Sequence, residues 1–138
     1  VPAARSSTWG GPDVAIQRLP SECNPVTLKD GRGGIFTYYP NDPIVEWNLL
    51  FTKAGECRGF HFHKEFDEYV LITSGPGTYL GLEDDGTESV HKVAAGDCVY
   101  FPIGTAHTLY AITDMRMVAL LTKRGDDCEE PLTRIDSP

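Results

Sequence analysis

The chain has 138 residues, the length of one domain, and its 41% hydrophobic content is enough to fill a single core. Twelve Lys and Arg against 20 Asp and Glu give a formal charge of −8. That balance repels phosphate backbones and anionic lipid, and so argues against nucleic acid or membrane partners.

In chain order, residues 1–13 contain Gly10, Gly11 and Pro12 and read as an arm that buries little on its own. The arm is taken to run to residue 20, followed by a barrel over 21–122 and a polar tail over 123–138 that lies on or beside the barrel. Helical periodicity is hard to find between these ends. Short alternating or apolar segments bounded by Gly, Pro and Asp recur instead. They predict strands at residues 14–18, 35–39, 44–52, 58–63, 68–73, 78–82, 88–93, 98–101, 107–112 and 115–121. Asp85-Gly86 makes a good hairpin turn. Strands at this spacing point to an all-β barrel or sandwich.

The longest apolar runs, such as residues 117–121, are far too short to span a bilayer. Pro2, Arg5, Ser6 and Ser7 break any signal-peptide pattern at the start. Cys23, Cys57, Cys98 and Cys128 have no CxxC pair, which fits free thiols in a reducing compartment. A cytoplasmic location is therefore expected. The acidic residues of the tail, Asp126, Asp127, Glu129 and Glu130, read as a solvated cluster rather than a second metal site.

Three of the four histidines sit near carboxylates in two clusters. The first runs Gly55-Glu56-Cys57-Arg58-Gly59-Phe60-His61-Phe62-His63, then Lys64-Glu65-Phe66-Asp67-Glu68, and ends at Gly75. Side chains alternate along a strand, so His61 and His63 share a face about 7 Å apart along the chain. Two imidazoles so placed can converge on one ion at about 2.0–2.1 Å each. A polar turn then brings Glu68 to open the next strand and offer an oxygen. The second cluster runs from Gly96 to His107, where Pro102 and Gly104 shape a turn that presents His107 from a strand distant in sequence. His91 matches neither cluster and reads as an exposed strand residue.

The two clusters resemble the paired motifs of the cupins. The first is Gly, five residues, His-x-His, four residues, Glu, six residues, Gly; the second is Gly, five residues, Pro-x-Gly, two residues, His. Ala111 departs from the Asn that commonly closes the second motif, at a position that is not a ligand. The resemblance implies a double-stranded β-helix, or jelly-roll barrel, with one divalent transition metal on His61, His63, Glu68 and His107. Asp67 is a possible substitute for Glu68. Three imidazoles and one carboxylate leave open positions for water or substrate and suit Fe, Mn, Zn or Ni alike.

Two further segments narrow the resemblance. Arg58-Gly59-Phe60-His61 is similar to the Arg-Gly-x-His signature of nucleotide-sugar 3,5-epimerases and 3,4-ketoisomerases, and Asp30-Gly31-Arg32-Gly33 looks like the Asp-x-Arg-Gly segment that precedes it. The resemblance implies that Arg32 and Arg58 offer forked donors to a sugar phosphate. It gives His61 the role of the base beside a ketone, although a metal-bound His61 is no free base; His63, where the 3,5-epimerases carry Gln, joins the catalytic set through the metal. Proton transfer then falls to a metal-bound water or to another pocket residue, with Tyr38, on the strand predicted at 35–39, among the candidates. The leading expectation is an isomerase or epimerase acting on a sugar or nucleotide sugar through a metal-stabilised enediolate. An Fe(II)-dependent dioxygenase on a small substrate and a non-catalytic sugar-binding module are the alternatives. A homodimer is expected because Phe60 and Phe62 alternate with the histidines and so face away from the pocket; a second sheet layer or the N-terminal arm could cover them instead.

Overall fold

A computed structural model of the chain describes residues 15–17, 26–82 and 85–135. The arm at 1–13, Cys23, the side chain of Phe60 and the last three residues lie outside the described residues.

Twelve strands are described: β1 (Ala15–Gln17), β2 (Val26–Asp30), β3 (Gly33–Phe36), β4 (Glu46–Thr52), β5 (Cys57–Phe62), β6 (Glu68–Ser74), β7 (Gly77–Leu82), β8 (Glu88–Val93), β9 (Cys98–Phe101), β10 (Ala106–Ala111), β11 (Met115–Leu121) and β12 (Thr133–Arg134). They form two five-stranded antiparallel sheets, ordered β1-β9-β6-β11-β4 and β12-β5-β10-β7-β8, plus a separate β2-β3 hairpin. This is a jelly roll in which sequence-distant strands are neighbours. No helix among the described residues is long and apolar enough to cross a membrane.

Strand alternation builds the core. On β6, Val70 and Ile72 point inward; on β11, Met115 and Met117 do the same. They meet Val99 and Phe101 of β9, and Tyr79, Val93, Leu109 and Ala111 of the second sheet, all buried. Burying such side chains contributes about 1.5–3 kcal/mol each, which is what holds the two sheets together. The opposite parity, Tyr69, Leu71, Cys98, Tyr100 and Leu120, forms a second cluster on the outer face of the first sheet. Tyr38 and Ile44 lie over it, and the Asn41 amide donates to the Tyr69 hydroxyl at 2.7 Å.

Three elements differ from expectation. The strand expected at 35–39 is instead β3, ending at Phe36, with β2 as its partner. Asp30 caps the intervening turn by accepting from the Arg32 amide at 2.8 Å, with Gly33 at φ 140°, so Asp30-Gly31-Arg32-Gly33 is hairpin-turn chemistry. The tail contributes β12, which pairs Thr133 with Phe62 and Arg134 with His61. The C-terminal segment therefore takes the edge of β5.

Candidate metal centre

The two sequence clusters meet between the sheets. His61 of β5 lies directly across from His107 of β10, and His63 follows the end of β5. Glu68 opens β6 on the facing sheet, on the inward parity of Val70 and Ile72. The turn at Pro102 to Gly104 docks on the first cluster through two backbone donors. The Gly104 amide reaches the His63 carbonyl at 2.8 Å, and the Ile103 amide reaches Asp67 Oδ1 at 2.9 Å. Gly104 holds φ 83°, a left-handed conformation that favours glycine. Asp67 thus serves the turn rather than substituting for Glu68.

One ligand atom from each of His61, His63 and His107 lies within 4.8 Å of the other two. Glu68 Oε1 is 3.5 Å from both His63 Nε2 and His107 Nε2. Two donors about 2.1 Å from a shared ion in tetrahedral or octahedral arrangement sit about 3.0–3.4 Å apart, so this spacing leaves room for one ion. The His107 and His63 rings are fixed from behind. His107 stacks on Phe101 with ring centres 3.8 Å apart, and its Nδ1 donates to the Thr105 carbonyl at 2.9 Å. His63 stacks on Phe66 at 4.4 Å, and its Nδ1 donates to the Pro131 carbonyl at 2.9 Å. A carbonyl only accepts, so each Nδ1 carries a proton and Nε2 is the atom turned toward Glu68, where a neutral ring offers its lone pair to an ion. His63 Nε2 is buried with no hydrogen-bond partner among the described residues. A buried, unsatisfied nitrogen beside a carboxylate fits a cation.

The electrostatics agree. Burial pushes the Glu68 carboxyl up, but His107 and His63, when protonated beside it, outweigh that effect and hold its pKa at about 2. Burial likewise works against a charged His63, yet Glu68 and the Pro131 carbonyl shift its pKa upward. The cluster behaves as a preformed negative seat that attracts positive charge.

The structure does not bring Tyr38, Arg32 or Arg58 to this cluster. Tyr38, expected to move a proton in the pocket, lies on the outer face of the first sheet, and its hydroxyl donates to the Gly96 carbonyl. Arg32 stands at the exposed tip of the β2-β3 hairpin, its guanidinium paired with Asp30 at 2.7 Å. Arg58 lies on β5 beyond a register shift, opposite Leu109, so the bulge returns it to the inward parity despite the odd spacing from His61. Its guanidinium nevertheless reaches to β4, donating to the Phe51 carbonyl at 2.7 Å and to Thr52 Oγ1 at 3.2 Å. Arg58 braces one sheet to the other. His91 is exposed, as expected, with its ring parallel to that of Tyr79 at 5.8 Å.

Sequence reasoning missed Thr105, Pro131, Phe66, Phe101 and Gly81. Gly81 pairs directly with His107, and a side chain at that position would collide with the Tyr79 hydroxyl. The one usable signal was an aromatic residue near each histidine motif.

A family model described as a cupin domain matches residues 50–123, more than half of the chain and all four candidate ligands. Two curated proteins of Arthroderma benhamiae are similar. A probable oxalate decarboxylase is 32% identical over 72 residues, which is 52% of this chain and 18% of that protein. An oxalate decarboxylase is 30% identical over 83 residues, or 60% and 19%. The chain therefore spans less than a fifth of the length of these relatives. Among solved structures, a 3,4-ketoisomerase from Helicobacter canadensis aligns with TM-score 0.72 at 15% identity, covering 89% of this chain and 91% of that one. A 3′-monoepimerase from Streptomyces bikiniensis, in complex with dTDP-quinovose, aligns with TM-score 0.65 at 18% identity, covering 80% and 64%. Oxalate decarboxylase of Bacillus subtilis, which has Mn(II) centres, aligns with TM-score 0.52 at 20% identity, covering 56% and 21%. At these identities the solved structures establish the shared fold.

Proposed function

The chain belongs to the cupin family, and from that premise we propose that it is a metal-dependent isomerase or epimerase acting on a sugar or nucleotide sugar. His61, His63, Glu68 and His107 would hold one divalent transition ion. The observation that carries this reading is the buried His63 Nε2, which lacks a hydrogen-bond partner among the described residues and lies 3.5 Å from Glu68 Oε1. When bound, the ion would act as a Lewis acid on a substrate oxygen and stabilise the enediolate left when a proton leaves the neighbouring carbon. The chain's own residues orient that chemistry. Glu68 stays ionised, Thr105 and Pro131 fix two rings, and Phe66 and Phe101 exclude water from their flanks.

The sugar class is supported by the ketoisomerase and the monoepimerase, whose folds match most of this chain. With Arg32 and Arg58 engaged elsewhere, the proposal rests on the keto-sugar end of a substrate rather than on a phosphate grip. The test is exchange of a carbon-bound hydrogen with deuterium from heavy water across a panel of keto sugars and their nucleotide forms. Exchange that chelator abolishes is expected. No incorporation into any of them, with metal shown to be bound, would overturn the reading.

A second reading is a metal-dependent decarboxylase of a small acid, distinct from the Fe(II)-dependent dioxygenase on a small substrate that is the sequence alternative. It is favoured by the two curated relatives, whose names assign them oxalate decarboxylation. Release of carbon dioxide and formate from oxalate would support it over the first, whereas substrate-dependent oxygen uptake would point instead to the dioxygenase.

A homodimer and a cytoplasmic location belong to the same proposal. The outer face of edge strand β4 shows Trp47, Leu49 and Phe51 to solvent, a surface that a second copy would cover. Free thiols at Cys57, Cys98 and Cys128 suit a reducing compartment. Sedimentation showing only monomer at micromolar concentration would contradict the dimer.

A further inference from the structure

The two best-fixed histidines of the centre owe their orientation to different parts of the chain. The Nδ1 of His107 donates to Thr105, two residues away in its own turn. The Nδ1 of His63 donates to Pro131, 68 residues away in the C-terminal segment. The first contact is built in wherever the turn forms. The second exists only if the segment is held in place.

That segment is held at several points. β12 pairs with β5 beside His61 and Phe62. Lys64, the residue after His63, pairs with Glu130 at 2.8 Å. Glu65 takes two further tethers, accepting from Lys123 Nζ and from the Glu130 amide at 3.0 Å each. Upstream, the Gly125 amide donates to Glu46 Oε1 at 3.0 Å. Pro131 fixes its own φ and biases Glu130 toward extended backbone, so the carbonyl is aimed before the ring arrives. Residues 124–134 lie beyond the part of the chain that matches the family model.

We infer that residues 123–134 form a clamp, with Pro131 as a positioning residue, that fixes the tautomer and aim of His63 as a metal ligand. The outer partner of a ligating histidine keeps the ring turned so that the other nitrogen meets the ion, and its loss lowers metal affinity by about 10- to 100-fold. Glu65 is the tether through which the clamp is set, since it alone engages both ends of residues 123–130. The inference rests on the metal reading of the site and not on the reaction proposed for it.

The test uses the full chain and Zn(II), with affinity measured by competition against a chromophoric chelator. Glu65→Ala should bind zinc about 10- to 100-fold more weakly than the wild type. Lys64→Glu and Glu130→Lys should each weaken binding, and the double variant, which restores the pair with charges exchanged, should recover it. Recovery separates positioning from general loss of structure. Nitrogen-15 NMR of the zinc-loaded wild type supplies a readout that does not depend on how any variant folds. The His63 Nδ1 proton should be present and slow to exchange, with zinc on Nε2. Wild-type affinity in a folded Glu65→Ala, or zinc on His63 Nδ1, would overturn the clamp while leaving the metal site standing. Failure of the wild type to take up zinc would overturn the metal reading and the clamp with it.

Discussion

The β2-β3 hairpin and the C-terminal segment have much in common as stretches of chain. Both are short, both are rich in polar and charged residues, and both form a two-stranded contact near one end of the sequence. Their places in the molecule are opposite. Among the described residues the hairpin pairs only with itself, and it spends Arg32 on Asp30, two residues away. The C-terminal segment pairs with β5 and spends Lys64, Glu65 and His63 on contacts more than 50 residues apart in sequence. An ion pair within one turn reports on the turn, whereas a set of long-range contacts around one ring reports on a site.

The largest effect that could break this comparison concerns stability. Ile72 is fully buried in the core between the sheets, while Ile35 of the hairpin is 53% exposed. Ile72→Ala should cost about 2–5 kcal/mol of unfolding free energy, and Ile35→Ala less than about 0.5 kcal/mol. Urea denaturation of the two variants measures the difference. A comparable loss in both would mean that the hairpin is part of the core.

Metal binding sharpens the contrast next. Zinc at about one hundred times its dissociation constant should stabilise the chain by about 2.7 kcal/mol. Arg32→Ala should keep this gain, and Glu68→Ala should lose it. A thermal melt with and without zinc reads both. Loss of the gain in Arg32→Ala would place the hairpin at the site after all.

What the sequence made legible follows from which atoms did the work. β11 alternates cleanly over seven residues, whereas β6 buries Tyr69 and Val70 in succession because both faces of its sheet are covered, so the sequence placed these strands without naming their inner faces. The four candidate ligands are side chains of distinctive chemistry at fixed spacings. Thr105 and Pro131 act through backbone carbonyls, which every residue owns, so nothing in their identity announces the role. β12 is two residues long and exists because β5 offers an edge, a tertiary cause without a local pattern. Arg58 shows the same limit. Strand parity counts residues, and the bulge between Arg58 and His61 changes the count. Arg32 was placed by resemblance of motif and Tyr38 by its position on a predicted strand, and neither says which face of a sheet a segment will cover.

Arg58→Ala tests the bracing role at a smaller scale. Loss of its bonds to Thr52 and Phe51 should cost about 1 kcal/mol by urea denaturation, with zinc affinity unchanged. Weakened affinity without a stability loss would return Arg58 to the site.

A further expected effect is alkaline. Burial pushes the Cys98 thiol from 9.0 up to about 12 and the Tyr69 hydroxyl from 10.0 up to about 12. Both folded values lie above the unfolded ones, so the stability they contribute is complete below about pH 9 and is lost as pH rises toward 12. Stability curves of the wild type should fall across that range, and Cys98→Ala should flatten part of the fall. An unchanged slope in the variant would contradict the burial assigned to the thiol.

The most direct measurement is metal analysis of the full chain purified without a metal-chelating column. The account predicts close to one divalent transition ion per chain and almost none in the His61→Ala, His107→Ala double variant, since two of four donors are gone. A double variant that retains its full metal content would contradict the assignment of His61, His63, Glu68 and His107 as the site.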